Sequence, residues 1–223
     1  MIRSFGVFNA SVPKGNMAYG IPIPITIIVD ANGTVNAKFL DEDYRQRYTA
    51  ANILARRYGV TFQASMEETA AKHVRIVSSA SNPAVRAGQH VALILDVELQ
   101  QGVHVYAPGV QSGYIPIEWK LSASPAWTNT TVDYPEPKSV RLLGETVPAY
   151  EGKIRITREV TIAPQGRAAE AAGASGQIVL EGSFRYQACD DRQCFVPETV
   201  PLKWTFRLEQ MDTERAPVEL RRK

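Results

Sequence analysis

Apolar and polar positions alternate with a period of two over most of the second half of the chain, the signature of strands with one wet and one dry face. Val91, Leu93, Leu95, Val97 and Leu99 alternate with Ala92, Ile94, Asp96, Glu98 and Gln100, and the Asp96–Gln100 half is apolar on one face only. The same reading marks Ile115 to Leu121, Trp127 to Tyr134 and Ile154 to Ile162, where Arg158 interrupts an otherwise apolar face. Two further strands follow: Ile178, Leu180, Phe184 and Tyr186 carry the dry face of one, and Val200, Leu202, Trp204, Phe206 and Leu208 that of the other. Six or more strands separated by Gly/Pro/Asn/Ser turns, with no helical period between them, predict an antiparallel β-sandwich over residues 73–209. Gln165 to Gln177, rich in Gly and Ala, reads as a hairpin loop.

The first 59 residues have a different rhythm. Ile25 to Val29 and Val35 to Phe39 flank an Asn32-Gly33 step, which predicts a β-hairpin. Tyr44, Tyr48, Ala51, Ala55 and Tyr58 then recur at helical spacing, with Asp41 or Asp43 as the cap and Gly59 as the stop. Residues 60–72 read as a linker or short helix. Residues 210–223 form a charged tail that is expected to fray. Two strands and a helix cannot cover one another's apolar faces, so the first segment is expected to be part of something larger.

Composition changes this picture little. The 223 residues are 44% hydrophobic, enough for a real core, and 25 basic against 23 acidic side chains leave a net charge of +2. Those charges are well mixed, so neither a nucleic-acid partner nor an anionic surface is indicated. No window has the apolar length of a transmembrane helix, and Met1 to Gly6 does not open a signal peptide.

The candidate chemistry lies in Tyr186-Gln187-Ala188-Cys189-Asp190-Asp191-Arg192-Gln193-Cys194-Phe195-Val196-Pro197, which holds both cysteines of the chain and links the last two predicted strands. A Cys-x4-Cys spacing at a turn lets two Cα atoms approach within the roughly 4.4–6.8 Å of a disulfide. Closing so short a loop stabilises a fold by only about 2 kcal/mol, which makes a weak staple. From the residues alone, a structural disulfide, a redox dithiol and metal or nucleophilic chemistry all stay open. Zinc needs four ligands and a second pair is missing, so no metal or other cofactor is expected. His73, His90 and His104 are available for a Cys/His site, but nothing in their spacing requires one. Asp190 and Asp191 are expected to point into solvent. Arg185 and Arg192 against Asp190, Asp191 and Glu198 leave the loop with one net negative charge, which disfavours a thiolate and tilts a dithiol toward electron donation.

Two resemblances add to this. Gly20 to Gly33, with Pro24-x-Thr26 and Asp30-x-x-Gly33, resembles the last hairpin of redoxin, or thioredoxin-like, domains. That match places Pro24 where the family keeps a cis proline beside its active cysteine, and it makes the following helix the closing one. No cysteine precedes Pro24, so residues 1–59 are expected to be the second half of such a domain in a chain shortened at its N-terminus. Arg185 to Glu198 resembles the active-site loop of the DsbD N-terminal-domain family, an immunoglobulin-like sandwich of thiol:disulfide interchange proteins. The order from His73 to Leu208 fits that family, with Gly102 to Gly109 as the strand whose aromatic residue, Tyr106, lies near the cysteines and Tyr150 to Ile154 as the strand after its cap loop. The best-known members have five residues between the cysteines and an acidic-aromatic cap, whereas this chain has four, and Leu142 to Pro148 lacks adjacent aromatics.

The resemblance implies a thiol–disulfide exchange module in which Cys194 attacks and Cys189 is its partner, with Tyr106, Tyr186, Asp190, Asp191 and Pro24 near the site. It implies partners that are exported thiol or disulfide proteins, a separate membrane electron donor, and a periplasmic or otherwise exported location. The alternative is a non-catalytic immunoglobulin-like interaction domain with a structural disulfide.

Overall fold

The computed structural model describes residues 3–17, 19–41, 43, 46–63, 66–110, 113–142 and 144–210, with the side chains of 129–131 and 142 aside. The expected N-terminal hairpin is present: β1 (Ile25–Val29) pairs antiparallel with β2 (Val35–Leu40). Asp30 closes its turn, accepting from the backbone N–H groups of Asn32 and Thr34 at 2.9 Å each. A two-residue strand β3 (Arg47–Tyr48) precedes helix α1 (Ala50–Tyr58). The predicted caps, Asp41 and Asp43, do not serve: Thr49 is the cap, accepting from the N–H of Asn52 at 3.1 Å. A hydroxyl one residue before the first helical turn satisfies a backbone donor that a carboxylate further upstream cannot reach. Tyr48 therefore belongs to a strand rather than the helix, and Tyr44 lies outside the described residues. Gly59 ends α1 in the left-handed conformation at φ 67°, as its sequence position predicts.

The rest is the expected antiparallel immunoglobulin-like β-sandwich. Its strands in chain order are β4 (Glu67–Thr69), β5 (Val74–Ala80), β6 (Ala84–Val85), β7 (Gln89–Leu99), β8 (His104–Tyr106), β9 (Glu118–Leu121), β10 (Trp127–Asp133), β11 (Lys138–Leu142), β12 (Glu145–Glu151) and β13 (Lys153–Ile162). Helix α2 (Gln165–Ala172) intervenes before β14 (Gln177–Tyr186), β15 (Ala188–Cys189) and β16 (Glu198–Leu208). One sheet has the order β10-β13-β7-β5-β4, and β3 lies parallel beside β7; the second has the order β6-β16-β14-β9. A third, β11-β12-β8-β15, carries Cys189.

The core lies between the first two sheets, where Leu93, Leu95, Ile156 and Val160 meet Ile178, Leu180, Phe184, Val200 and Phe206. Trp204 crosses it, donating from its indole N–H to the Ser79 carbonyl at 3.0 Å. Arg158, which breaks the apolar face of β13, lies with its guanidinium 5.8 Å from the Trp119 ring centroid and donates to the Trp119 carbonyl. A cation can stay at that depth because its apolar stem is buried while its head finds a carbonyl and an aromatic face.

Three findings depart from the sequence pattern. Gln165–Ala172 is helical, not a loop, because Ala168 and Ala172, four residues apart, are buried on one side of the helix. Within 60–72, Glu67–Thr69 forms an edge strand on β5. Strand β7 is buried on both faces over its first half, because α1 packs there: Ala55 and Phe62 cover Ala92 and Ile94. The apolar outer positions of β7 are thus the seat of the N-terminal segment.

That seat also holds ions. His90 donates from Nε2 to Asp41 at 2.7 Å and lies with Nδ1 3.2 Å from Glu159, while Tyr48 stacks on its ring at 4.2 Å. Arg56 of α1 donates to Glu159 at 2.6 Å and to Asp133 at 3.1 Å. Arg155 pairs with Asp96 through two bonds of 2.7 and 2.8 Å and also donates to the carbonyl of Gly59. The charged tail from Met211 to Lys223 lies outside the described residues.

Candidate functional site

At Gln187 the chain leaves one sheet for another. β14 pairs with β9 as far as Arg185 and with β16 as far as Tyr186, after which Ala188 and Cys189 pair with Val105 and His104 of β8. The chain then reverses within four residues. The N–H of Asp190 donates to the Gln193 carbonyl at 2.9 Å, and its carboxylate accepts from the N–H groups of Arg192 and Gln193 at 2.8 Å each. This Asx turn returns the chain so that Phe195 N–H donates to the Ala188 carbonyl at 2.8 Å. Gln187 ties the two limbs through its side-chain amide, which donates to the Phe195 carbonyl at 3.0 Å.

Cys189 and Cys194 face each other across this turn with their Cα atoms 4.0 Å apart, and they form a disulfide. The two sulfurs have different surroundings. Cys189 is 1% exposed and shares a small cluster with Tyr106, Val147 and Ala149. Cys194, on the returning limb, is exposed. An incoming thiolate can therefore reach one sulfur and not the other.

Of the residues predicted near the pair, Tyr106 is there. Fully buried, it places its hydroxyl 3.5 Å from Cys194 Sγ, and since a disulfide sulfur carries no hydrogen, the phenol is the donor. Burial, with the charge of Glu145 second, holds its pKa above the ordinary value, so the hydroxyl keeps its proton. Asp190 is present too, its carboxylate at the surface as expected but also engaged by the loop backbone. The N–H groups of Arg192 and Gln193 hold its carboxyl below the usual range. Asp191 is exposed, as expected.

Tyr186 serves the frame instead. Its buried hydroxyl donates to Glu198 at 2.8 Å and lies 2.7 Å from the Lys72 carbonyl, joining the start of the sandwich to β16. Burial and the Glu198 carboxylate push its pKa up. Pro24 immediately precedes β1, where its carbonyl accepts from Asp41 N–H at 3.2 Å. Its peptide bond is trans, because there is no cis peptide among the described residues.

Four further residues lie around the pair: Tyr114 and Glu145, which the sequence pattern does not mark, and His104 and His73, whose spacing alone does not tie them to the cysteines. Tyr114 packs its ring 4.5 Å from Tyr106 and donates to Glu145 at 2.6 Å, a bond that pushes its pKa up to about 12. Tyr114 and Glu145 thus supply an aromatic and a carboxylate beside the cysteines, though from two separate segments. His104 lies directly across from Cys189 on β8 and is 2% exposed; its other neighbour in the sheet, on β12, is Glu151. His73 stacks on Phe195, the residue after Cys194, at 3.9 Å. The alternation His104-x-Tyr106, which sets both side chains on one face of β8, is the signal that could have found His104.

The sandwich is the part of the chain that matches a known family. Residues 73–203, more than half of the chain, match the family model described as "Thiol:disulfide interchange protein DsbD, N-terminal". No curated protein matches the chain. Among solved structures, the N-terminal periplasmic domain of ScsB from Proteus mirabilis is similar at 14% identity and TM-score 0.44, over 65% of this chain and 51% of that one. The chain therefore spans about half the length of that domain. The DsbD N-terminal domain of Neisseria meningitidis, in the reduced form, is similar at 10% identity and TM-score 0.32, over 63% of this chain and 84% of that one.

Proposed function

Because this chain belongs to the family of the N-terminal domain of the thiol:disulfide interchange protein DsbD, we propose that its Cys189–Cys194 pair is a thiol–disulfide exchange centre that passes reducing equivalents to exported thiol proteins. The observation that carries this reading is the asymmetry of the pair, with Cys194 open to solvent and Cys189 sealed beneath the turn. In the dithiol form, the Cys194 thiolate attacks one sulfur of a partner disulfide and expels the other as a thiolate. Cys189 then attacks Cys194 Sγ, closing the intramolecular bond and releasing the partner's second thiol. Two electrons pass to the partner, and the chain is left oxidised. A separate membrane donor reverses these steps to reload it. Tyr106 steadies charge on Cys194 through its hydroxyl and so favours its attack, whereas the net negative charge of the loop disfavours a free thiolate and leans the pair toward donating electrons.

The module works in the periplasm or another exported space. The hairpin and helix of residues 1–59 are taken, on the Pro24-to-Gly33 motif, as the closing half of a redoxin-like unit.

The test is to equilibrate the protein with dithiol/disulfide buffers of defined potential and count alkylated thiols by mass. A midpoint within the range of cellular dithiols is expected. A pair that stays oxidised far below that range would instead identify a structural disulfide in a non-catalytic interaction domain. In parallel, Cys194→Ser should abolish mixed disulfides with a partner, whereas Cys189→Ser should accumulate them. Trapping that persists through Cys189 in the Cys194→Ser chain refutes the assigned roles.

A further inference from the structure

One buried polar atom beside the disulfide has no protein partner. His104 is 2% exposed, and its Nε2 is buried without a hydrogen bond. Such atoms are rare in folded proteins and call for a reason. The sheet register supplies one. Cys189 is directly opposite His104 on one side and Glu151 is directly opposite on the other. Residues so opposed in an antiparallel ladder project from the same face with Cβ atoms about 4.5–5.5 Å apart. Three adjacent strands thus set a carboxylate, an imidazole and a thiol in one row. In the oxidised pair the Cys189 sulfur has no proton to offer the imidazole; once reduced, it has one. A reduced Cys189 would offer the lone nitrogen a donor from the opposing strand position.

We infer that His104 is the general base that deprotonates Cys189 when the mixed disulfide on Cys194 is resolved, with Glu151 as the positioning residue behind it. This inference rests on the exchange reading above. The proton moves from Cys189 Sγ to His104 Nε2. The sulfur's freed electron pair forms the Cys189–Cys194 bond, and the bond between Cys194 and the partner sulfur breaks with its pair going to that sulfur. The released thiolate then takes the proton from the imidazolium, which restores neutral His104. No outside oxidant or reductant takes part.

A buried cysteine needs such help more than an exposed one, since burial in apolar surroundings disfavours its thiolate. The titratable groups facing the imidazole are Glu151 from β12, Asp190 and Asp191 from the loop, Tyr106 on its own strand and Cys189. Burial pulls the His104 pKa below its ordinary value against the opposing pull of Glu151, Asp191 and Asp190, so the ring is neutral and able to accept a proton at neutral pH.

The experiment uses the fully reduced chain and one equivalent of 5,5′-dithiobis(2-nitrobenzoate). Attack by Cys194 releases one thionitrobenzoate, and attack by Cys189 on the resulting mixed disulfide releases the second. In His104→Gln the first release should keep its wild-type rate, while the second slows by about a hundredfold, the lower end of general-base contributions. The second release should also lose the rise with pH that tracks deprotonation of His104. A second release at the wild-type rate, with an unchanged pH profile, overturns the assignment.

Glu151→Gln, a change at an exposed position that the fold should tolerate, is the independent variant. Removing a charge that raises the imidazole pKa should move the pH midpoint of the second release downward, and an unmoved midpoint also overturns the proposal. A wild-type chain that gives the first release but never the second defeats the exchange reading itself, and this inference with it.

Discussion

Glu159→Gln should loosen the N-terminal segment from the sandwich without disturbing the disulfide sheet. The Glu159 side chain is 4% exposed and accepts from Arg56 at 2.6 Å and from Asn52 at 3.3 Å, with His90 Nδ1 at 3.2 Å. Gln keeps the shape but removes the charge that both cations face. Breaking a buried ion pair from one side costs about 3–5 kcal/mol. Arg56, 28% exposed and still paired with Asp133, recovers part of this, which places the loss near 3 kcal/mol, the low end of that range. For a chain of this size that corresponds to a fall of roughly 6–12 °C in melting temperature if unfolding is a single transition.

The loss should concentrate where the ions sit. Native-state hydrogen exchange should therefore quicken about a hundredfold at the amides of α1 and stay unchanged in β14 and β16. The effect also has a pH signature. Burial alone pulls the His90 pKa down, but its contacts with Glu159 and Asp41 outweigh that and hold it above the ordinary 6.5. Its contribution is thus complete below 6.5 and fades as pH rises through the raised value. Burial pushes Glu159 up, but His90 and Arg56 outweigh it and hold it below the ordinary 4.5. That contribution is present above 4.5 and is lost as pH falls through the lowered value. Protection of α1 in the wild-type chain should peak between these limits, and Glu159→Gln should flatten both flanks. A loss under about 1 kcal/mol, the range of surface ion pairs, or one spread evenly over all the strands, would refute the reasoning.

Two other substitutions test separate parts of the argument. Tyr106→Phe removes the hydroxyl beside Cys194 and keeps the ring packing, so the melting temperature should hold while alkylation of reduced Cys194 slows about fivefold, the worth of about 1 kcal/mol of hydrogen bonding to the thiolate; an unchanged rate would remove Tyr106 from the chemistry. Gly182→Ala places a methyl against the Lys120 carbonyl and the Leu121 side chain, where β14 pairs with β9, and should cost about 1–3 kcal/mol in a denaturant titration.

Positions that repeat were readable from sequence, and positions brought together by folding were not. The period of two located β7, β13, β14 and β16 to within a few residues, because each buries a regular face. The same pattern held an unread clue. Ala92 and Ile94 are apolar on a face that is polar from Asp96 onward, and a covered outer face is what α1 provides. Its ionic partners could not be read, because Asp41, Arg56, His90 and Glu159 lie far apart in sequence and share no period. Gln165 to Gln177 misled for a different reason. Alanine and glycine suit both loops and short helices, and only the burial of Ala168 and Ala172 decides for α2.

The candidate site shows the same division, and its cause can be traced to one residue. Two cysteines with four residues between them announce that a local disulfide can form, but not which sulfur faces solvent. That depends on where the strand changes sheets. If β14 ran on with β16 past Gln187, Cys189 would not lie opposite His104. By crossing to β8 at Ala188, the chain buries Cys189 against His104 and Tyr106 and leaves Cys194 on the returning limb. The proposed order of attack and the proposed base for the second step both rest on that register, so shifting it by one residue would turn Cys189 to the opposite face and separate it from the imidazole.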